Sequence, residues 1–269
     1  MKFLLIFIIS SLCLVKGYAQ TSEEFYFKAT DKYNLKDYSG ALLDYNKAIE
    51  LNPNNADYYS DRALAKLALE DYKGVIEDLN IAIELNPIKD IYYCDRAIAK
   101  YELNDKIGAM VDINKAIELN PNSDVYYYNR ATSKLELEDY SGVIEDLNKA
   151  IELNPNDDYY YFKRGNTKLD LEDYSGAIED FNKAIEINPN DANFYSNRGR
   201  SKSQLEDNTG ALADINIAIK LNPNYANYYY YRGYVKLYLG EKDSACLDFS
   251  KAVELGSEQA HVAIKEYCN

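Results

Sequence analysis

Residues 158–191 read DYYYFKRGNTKLDLEDYSGAIEDFNKAIEINPND, and the reading of this stretch decides the fold. The same pattern recurs in register along the chain. All six prolines, Pro53, Pro87, Pro121, Pro155, Pro189 and Pro223, stand 34 residues apart, and Ala48, Ala82, Ala116, Ala150, Ala184, Ala218 and Ala252 keep the same interval. A fixed period of this size marks one supersecondary unit stacked on copies of itself. Counting Ser22 as place one gives seven units, 22–55, 56–89, 90–123, 124–157, 158–191, 192–225 and 226–259, with residues 260–269 left over. No Gly/Ser-rich or charge-block segment separates them. The array therefore reads as one domain in which each unit touches only its neighbours.

Each unit holds two stretches of helical periodicity. In the fourth, Val125 to Leu137 and Val143 to Leu153 carry apolar and aromatic residues at helical spacing, and Glu138 to Gly142 supplies the break. Asp139 is placed to accept a hydrogen bond from a free amide at the start of the second helix. Asn154-Pro155 ends that helix, because proline disfavours helical geometry in the residue before it and cannot extend the hydrogen-bond ladder. The expected element is a helical hairpin, and the expected class is all-α. Place 8 is Ala or Gly throughout and place 20 is Ala or Val, so the paired helices can approach closely. The aromatic at place 4 (Phe25, Tyr59, Tyr93, Tyr127, Tyr161, Tyr195, Tyr229) and the leucine at place 14 are expected to fill the remaining volume.

Residues 1–19 stand apart from the array. Lys2 begins a stretch that runs almost wholly apolar from Phe3 to Val15, and Gly17-Tyr18-Ala19 places small residues three and one before a cut ahead of Gln20. This is the pattern of a signal peptide, too short to be read as a spanning anchor, and it predicts export to the periplasm or the exterior. Removing Lys2 and Lys16 leaves 28 cations against 44 anions, a net charge of −16. Such a surface repels nucleic-acid phosphates and anionic lipid headgroups. After Ala19 no apolar run is long enough to cross a bilayer, so no stable membrane insertion is expected after cleavage.

Tyr161, Gly165, Tyr174, Ala177, Phe181, Ala184 and Pro189 resemble the pattern of the tetratricopeptide repeat, spacing included. The resemblance covers residues 22–259 in seven copies. It implies a right-handed α-solenoid in which the first helix of each pair lines a concave groove. It also implies a non-enzymatic scaffold that holds peptide segments or helices of other proteins there.

The sequence departs from the commonest family pattern in one coherent way. Place 7, usually leucine, is arginine from Arg62 to Arg232, and place 11, usually aromatic, is lysine from Lys32 to Lys236. The two share one face of the first helix. The second helix carries Asp44, Asp78, Asp112, Asp146, Asp180, Asp214 and Asp248. Two cations and one anion per unit predict an ion-pair ladder through the stack; the alternative is a cationic stripe that grips an acidic ligand.

The family places the groove at places 2, 5, 6, 9, 12 and 13. Carried over, they give as candidate binding residues Tyr26, Tyr33, Leu64, Ile98, Tyr101, Tyr128, Asn129, Phe162, Lys163, Asn166, Asn197, Arg200, Tyr230, Tyr234 and Tyr238. Aromatic side chains give contact area at low entropy cost, and amides can hydrogen-bond a peptide backbone. Lys163 and Arg200 are isolated, so a clamp for a terminal carboxylate is not expected. Cys94 maps to the groove as a small apolar residue.

At the C-terminal end Gly256-Ser257 replaces Asn-Pro, and Glu258 to Tyr267 reads as a capping helix with Ala260, Ala263 and Ile264 inward. Ala252, Leu255, Gly256 and Ala260 also resemble the ends of Sel1-like repeats. Cys246 and Cys268 fall on the last second helix and the cap; they read either as a disulfide or as two buried thiols.

Catalytic chemistry finds no constellation. His261 is the only histidine, glycine recurs singly at place 19, and acidic pairs such as Glu138-Asp139 sit in turns. Neither metal nor cofactor is expected. The preferred reading is an exported protein–protein interaction scaffold; the alternative is a structural, self-associating solenoid, a homo-oligomer in a larger envelope assembly.

Overall fold

The computed structural model describes residues 20–268, so the expected signal peptide at 1–19 lies outside the described residues. Among the described residues the regular structure is fifteen helices, seven pairs and a final single helix. The chain divides into two compact units, with the boundary after Ile88. The first holds α1 (Ser22–Asn34), α2 (Tyr38–Leu51), α3 (Ala56–Ala68) and α4 (Tyr72–Leu85). The second holds α5 (Asp90–Glu102), α6 (Lys106–Leu119), α7 (Asp124–Leu135), α8 (Tyr140–Leu153), α9 (Asp158–Asp170) and α10 (Tyr174–Ile187). It continues with α11 (Ala192–Gln204), α12 (Asn208–Leu221), α13 (Ala226–Tyr238), α14 (Lys242–Glu254) and α15 (Glu258–Tyr267).

The helix ends follow from local chemistry. In the fourth repeat the Gly142 amide donates to Asp139 Oδ1 at 3.0 Å, and the same contact recurs at Asp37, Asp71, Asp105, Asp173 and Asp207. It satisfies one of the amides that a helix start leaves without an internal partner. The first helices end in the expected break, and the break has a defined backbone geometry. Place 15 enters the left-handed region at Lys36, Glu70, Asn104, Glu138, Glu172 and Glu206, with φ between 58° and 65°, and at Gly240. The following amide then closes back on the carbonyl of place 11, as Asp139 N does on Lys134 O at 3.0 Å. This closure satisfies carbonyls that the last turn would leave free.

The seam between paired helices is built of small residues. Ala29, Ala41, Ala48, Ala97, Ala109, Ala150, Ala177 and Ala184 are fully buried. At Gly165 an added Cβ would stand 2.8 Å from the Phe181 ring, and at Gly233 it would stand 2.5 Å from Phe249. The large ring at place 24 thus occupies the space that the missing methyl vacates. The place-14 leucines do not fill the core: Leu35 is 80% exposed, and Leu69, Leu103, Leu137, Leu171, Leu205 and Leu239 are all exposed. They stand at or near the C-cap of the first helix, past its last packed turn.

The last helix, α15, closes the end of the second unit. Ala260 and Ala263 are buried there against Ala245, Phe249 and Ala252 of α14, with Ile264 and Tyr267 packed beside them. Ser257 caps α15 by accepting from the Ala260 amide at 3.3 Å.

Candidate functional site

The ladder of charges is consumed by the stack. In the fourth repeat Arg130 donates through Nε and Nη2 to the two oxygens of Asp146, at 2.9 and 2.6 Å, and Lys134 Nζ stands 2.8 Å from the same carboxylate. The Asp146 side chain is 1% exposed. The arrangement repeats at Asp78, Asp112, Asp180, Asp214 and Asp248. A third arm ties one hairpin to the one before: Arg130 Nη1 donates to Asn114 at 2.8 Å, and Arg62, Arg164, Arg198 and Arg232 do the same to Asn46, Asn148, Asn182 and Asn216. Each of these guanidinium groups also lies over the place-4 ring, as Arg130 does over Tyr127 at 5.5 Å. A guanidinium with a bidentate carboxylate, an amide and an aromatic face has its planar fork fully used. The expected ladder stands, and the cationic stripe does not.

A second set of ties joins successive hairpins of the second unit. Asp90 accepts from Tyr126 Oη at 2.8 Å and from Asn120 Nδ2 at 2.8 Å; Asp124 accepts likewise from Tyr160 and Asn154. Burial pushes both carboxyls up, but the hydrogen bonds outweigh it and hold them below their ordinary value. The fifth repeat keeps Asn188 on Asp158, and the sixth has Phe194 where the earlier joints have tyrosine. The recurrence of Asp at place 1, Tyr at place 3 and Asn at place 31 is the signal that would have revealed these ties.

With the charges turned inward, the face of the first helices in the second unit presents a row of crevices. Ile98, Tyr101, Glu102, Tyr128, Asn129 and Thr132 line one of about 240 Å³ between α5 and α7. Tyr128, Thr132, Leu135, Lys163, Asn166 and Asp170 line one of about 130 Å³ between α7 and α9. Leu169, Asp170, Arg200 and Gln204 line the third, between α9 and α11. Arg200, Gln204, Tyr230, Tyr231, Tyr234 and Tyr238 line the fourth, between α11 and α13, and each of these two measures about 220 Å³. Thus Ile98, Tyr101, Tyr128, Asn129, Lys163, Asn166, Arg200, Tyr230, Tyr234 and Tyr238 fall together on one face. Thr132 and the carboxylates Glu102 and Asp170 join them without having been singled out.

Other candidates are occupied. Phe162 packs on Phe194 at 5.0 Å and on Phe181 at 6.1 Å, and Asn197 Nδ2 donates to Asn166 Oδ1 at 2.7 Å. Place 5 lies partly between repeats: Tyr128 stacks on Tyr160 at 5.6 Å while still lining two crevices, and Cys94 and Ser196 are buried. Cys94 accepts from Asn129 Nδ2 at 3.4 Å, and burial pushes its thiol up to about 12. Lys163 lies over the Tyr159 ring and Arg200 over Tyr231. Burial, then the hydrogen bond with Tyr230, raises the Tyr234 hydroxyl above its ordinary value, so it is a neutral donor at any physiological pH.

In the first unit Tyr26 donates to Asp61 at 2.7 Å and stacks on Tyr58 at 4.9 Å. Tyr33 meets Tyr38 edge-on at 5.3 Å, and Leu64 is partly buried. Among the described residues no group of three or more His, Cys, Asp or Glu side chains is disposed to hold a metal ion, and no helix is long and apolar enough to cross a membrane.

Comparison with known proteins agrees with this architecture. A family model described as TPR repeat matches residues 31–70 and 165–205, and models described as tetratricopeptide repeat match 125–157 and 196–260. The last match runs through the region compared above with Sel1-like ends, and that second resemblance is not shown. Serine/threonine-protein phosphatase 5 is 46% identical over 50 residues in Rattus norvegicus and 47% over 49 in Homo sapiens. The first stretch covers 19% of this chain and the second 18%, and each spans only 10% of the phosphatase.

Among solved structures, a tetratricopeptide repeat protein from Parabacteroides merdae is 23% identical, with a TM-score of 0.66 over 93% of this chain and 100% of the other. The C-terminal part of a TPR repeat-containing protein from Cytophaga hutchinsonii has a TM-score of 0.74 at 17% identity, over 87% and 97%. YrrB, described as a TPR protein with an unusual peptide-binding site, has 0.62 at 21% identity, over 71% and 99%. Seven helical hairpins in a 34-residue register, matched by these models along most of the array, place the chain in the tetratricopeptide repeat family.

Proposed function

We propose that this protein–protein interaction scaffold holds an extended or helical segment of a partner across the first helices of its second unit, through apolar contacts and hydrogen bonds to the partner's backbone. One observation carries the reading: every ladder cation of α5, α7, α9, α11 and α13 is paired to a buried aspartate, while aromatic, amide and hydroxyl side chains line the successive crevices with charges of both signs, Glu102, Lys163, Asp170 and Arg200, set singly among them. A face so composed recognises shape and backbone rather than a single charge. The peptide-binding description of YrrB supports the same ligand class. Tyr128 and Tyr234 are the anchors of the two ends of this row. Capture of partners by the mature chain is expected to fall at least tenfold in Tyr128→Ala and Tyr234→Ala, assayed at a temperature where both variants remain folded, and equal recovery by wild type and both variants would overturn the assignment.

Export rests on residues 1–19 alone. N-terminal sequencing of protein recovered from outside the cytoplasm is expected to begin at Gln20. A chain retained inside and beginning at Met1 would refute it.

A further inference from the structure

Tyr234, which lines the last crevice, also touches the cap, and the cap is fastened by a covalent bond. Cys246 on α14 is joined to Cys268 just beyond α15, closing a sequence separation of 22 residues. The cap helix α15 is short. It has ten residues, its fully buried side chains are two alanines, and an isolated helix of that length is marginal in water. Yet Tyr267, the residue before Cys268, meets Tyr234 edge-on at 5.9 Å. Tyr234 in turn lines the crevice with Tyr230 and Tyr238 and packs on Phe249 at 5.2 Å.

We propose that the Cys246–Cys268 disulfide is a redox clasp: oxidised, it pins Tyr267 on Tyr234 and sets the shape of the crevice between α11 and α13; reduced, it lets the end of α15 open. Both cysteines are only partly buried, so a soluble dithiol can reach them. One thiolate of the dithiol attacks a sulfur of the pair and the other cysteine leaves as a thiolate that takes a proton. The second thiol of the reagent then displaces the mixed disulfide. The protein gains two electrons and two protons, and the reagent becomes a disulfide. Cys94 stays out of this exchange, since its thiol is buried and protonated. The clasp goes beyond the binding reading, and only its consequence for a ligand depends on that reading.

Hydrogen–deuterium exchange of the mature chain with and without dithiothreitol tests the clasp directly. Reduction is expected to add 2 Da for the two hydrogens gained. Amides of residues 258–267 should then lose protection on the order of a hundredfold, the scale set by releasing a loop of this length. Residues 230–238 should follow by a smaller factor, and α7 to α10 should not change. Cys246→Ser/Cys268→Ser should show the reduced pattern without reagent, and Tyr267→Ala should loosen residues 230–238 with the bond intact. A mass that does not change on reduction, or a cap equally protected in both states, would overturn the clasp. An opened cap with residues 230–238 undisturbed would overturn its coupling to the crevice. None of these readouts needs a partner, so a failed binding assay leaves the clasp standing and a failed clasp leaves the binding reading standing.

Discussion

The rung of the fourth repeat and the rung of the first differ in how a charge is buried. Asp146 is held by both arms of Arg130 and by Lys134, and its side chain is 1% exposed. Asp44 meets Lys32 alone at 2.6 Å, with the two side chains 16% and 40% exposed, and place 7 is Lys28, which lies over Phe25 instead. The difference tracks the neighbour. Arg130 has Asn114 of the preceding hairpin to bind, whereas no hairpin precedes the first among the described residues. The other end mirrors it: place 25, asparagine in six repeats, is Ser250 in the seventh, and its hydroxyl donates to the Cys246 carbonyl at 2.8 Å. Arginine and asparagine therefore serve the joint between repeats, and the aspartate serves the repeat itself.

The largest effect that would break this contrast comes from the aspartate. Asp146→Ala leaves two partly buried cations without their counter-ion and should cost about 3–5 kcal/mol. Asp44→Ala, which frees only one lysine that is itself 40% exposed, should cost less, about 1 kcal/mol. Urea midpoints of the two variants check this, and equal losses would erase the distinction. Next, Ala150→Leu overfills the seam of the fourth hairpin and should cost about 1–3 kcal/mol by the same measurement. Tyr160→Phe removes the hydroxyl from Asp124 and should cost about 1.5–3 kcal/mol, as for a hydrogen bond to a charged group.

That last variant also carries a pH signature. The Asp124 carboxyl titrates below its ordinary value in the folded chain. Its contribution is therefore complete above the unfolded value near 4 and is lost as pH falls through the lower, folded one. Tyr160→Phe should lose least below that window. The joint at Phe194 serves as the natural control.

Asn114→Ala should cost about 1 kcal/mol through the lost inter-repeat bond, against no measurable effect for Ser250→Ala. Glu138→Gly acts in the other direction, where relief of a left-handed residue is partly offset by a looser unfolded chain. A net gain of about 0.5 kcal/mol is expected from calorimetry.

The period made the hairpins, their caps and the charged rungs legible before any coordinates, because Asp139, Pro155 and Ala150 each act locally and repeat in register. What was not legible depended on where a helix stops. A leucine at place 14 looks like core, yet the chain turns left-handed one residue later and leaves Leu137 in solvent. Place 5 reads as open because the family pattern counts faces of one helix; Tyr128 and Phe162 also meet the next repeat's Tyr160 and Phe194. The place-13 carboxylates Glu102 and Asp170 are not among the expected groove residues, though helical spacing sets them on the same face.

The central claim is that the first-helix face, whose ladder cations are all turned to buried aspartates, is where a partner lies. Photoreactive residues placed one at a time at Ile98, Tyr128 and Tyr238, and at Val111, Ile144 and Leu247 on the second helices, test it most directly. The account predicts partner crosslinks from the first three positions and none from the others. Crosslinks confined to Val111, Ile144 and Leu247 would contradict it.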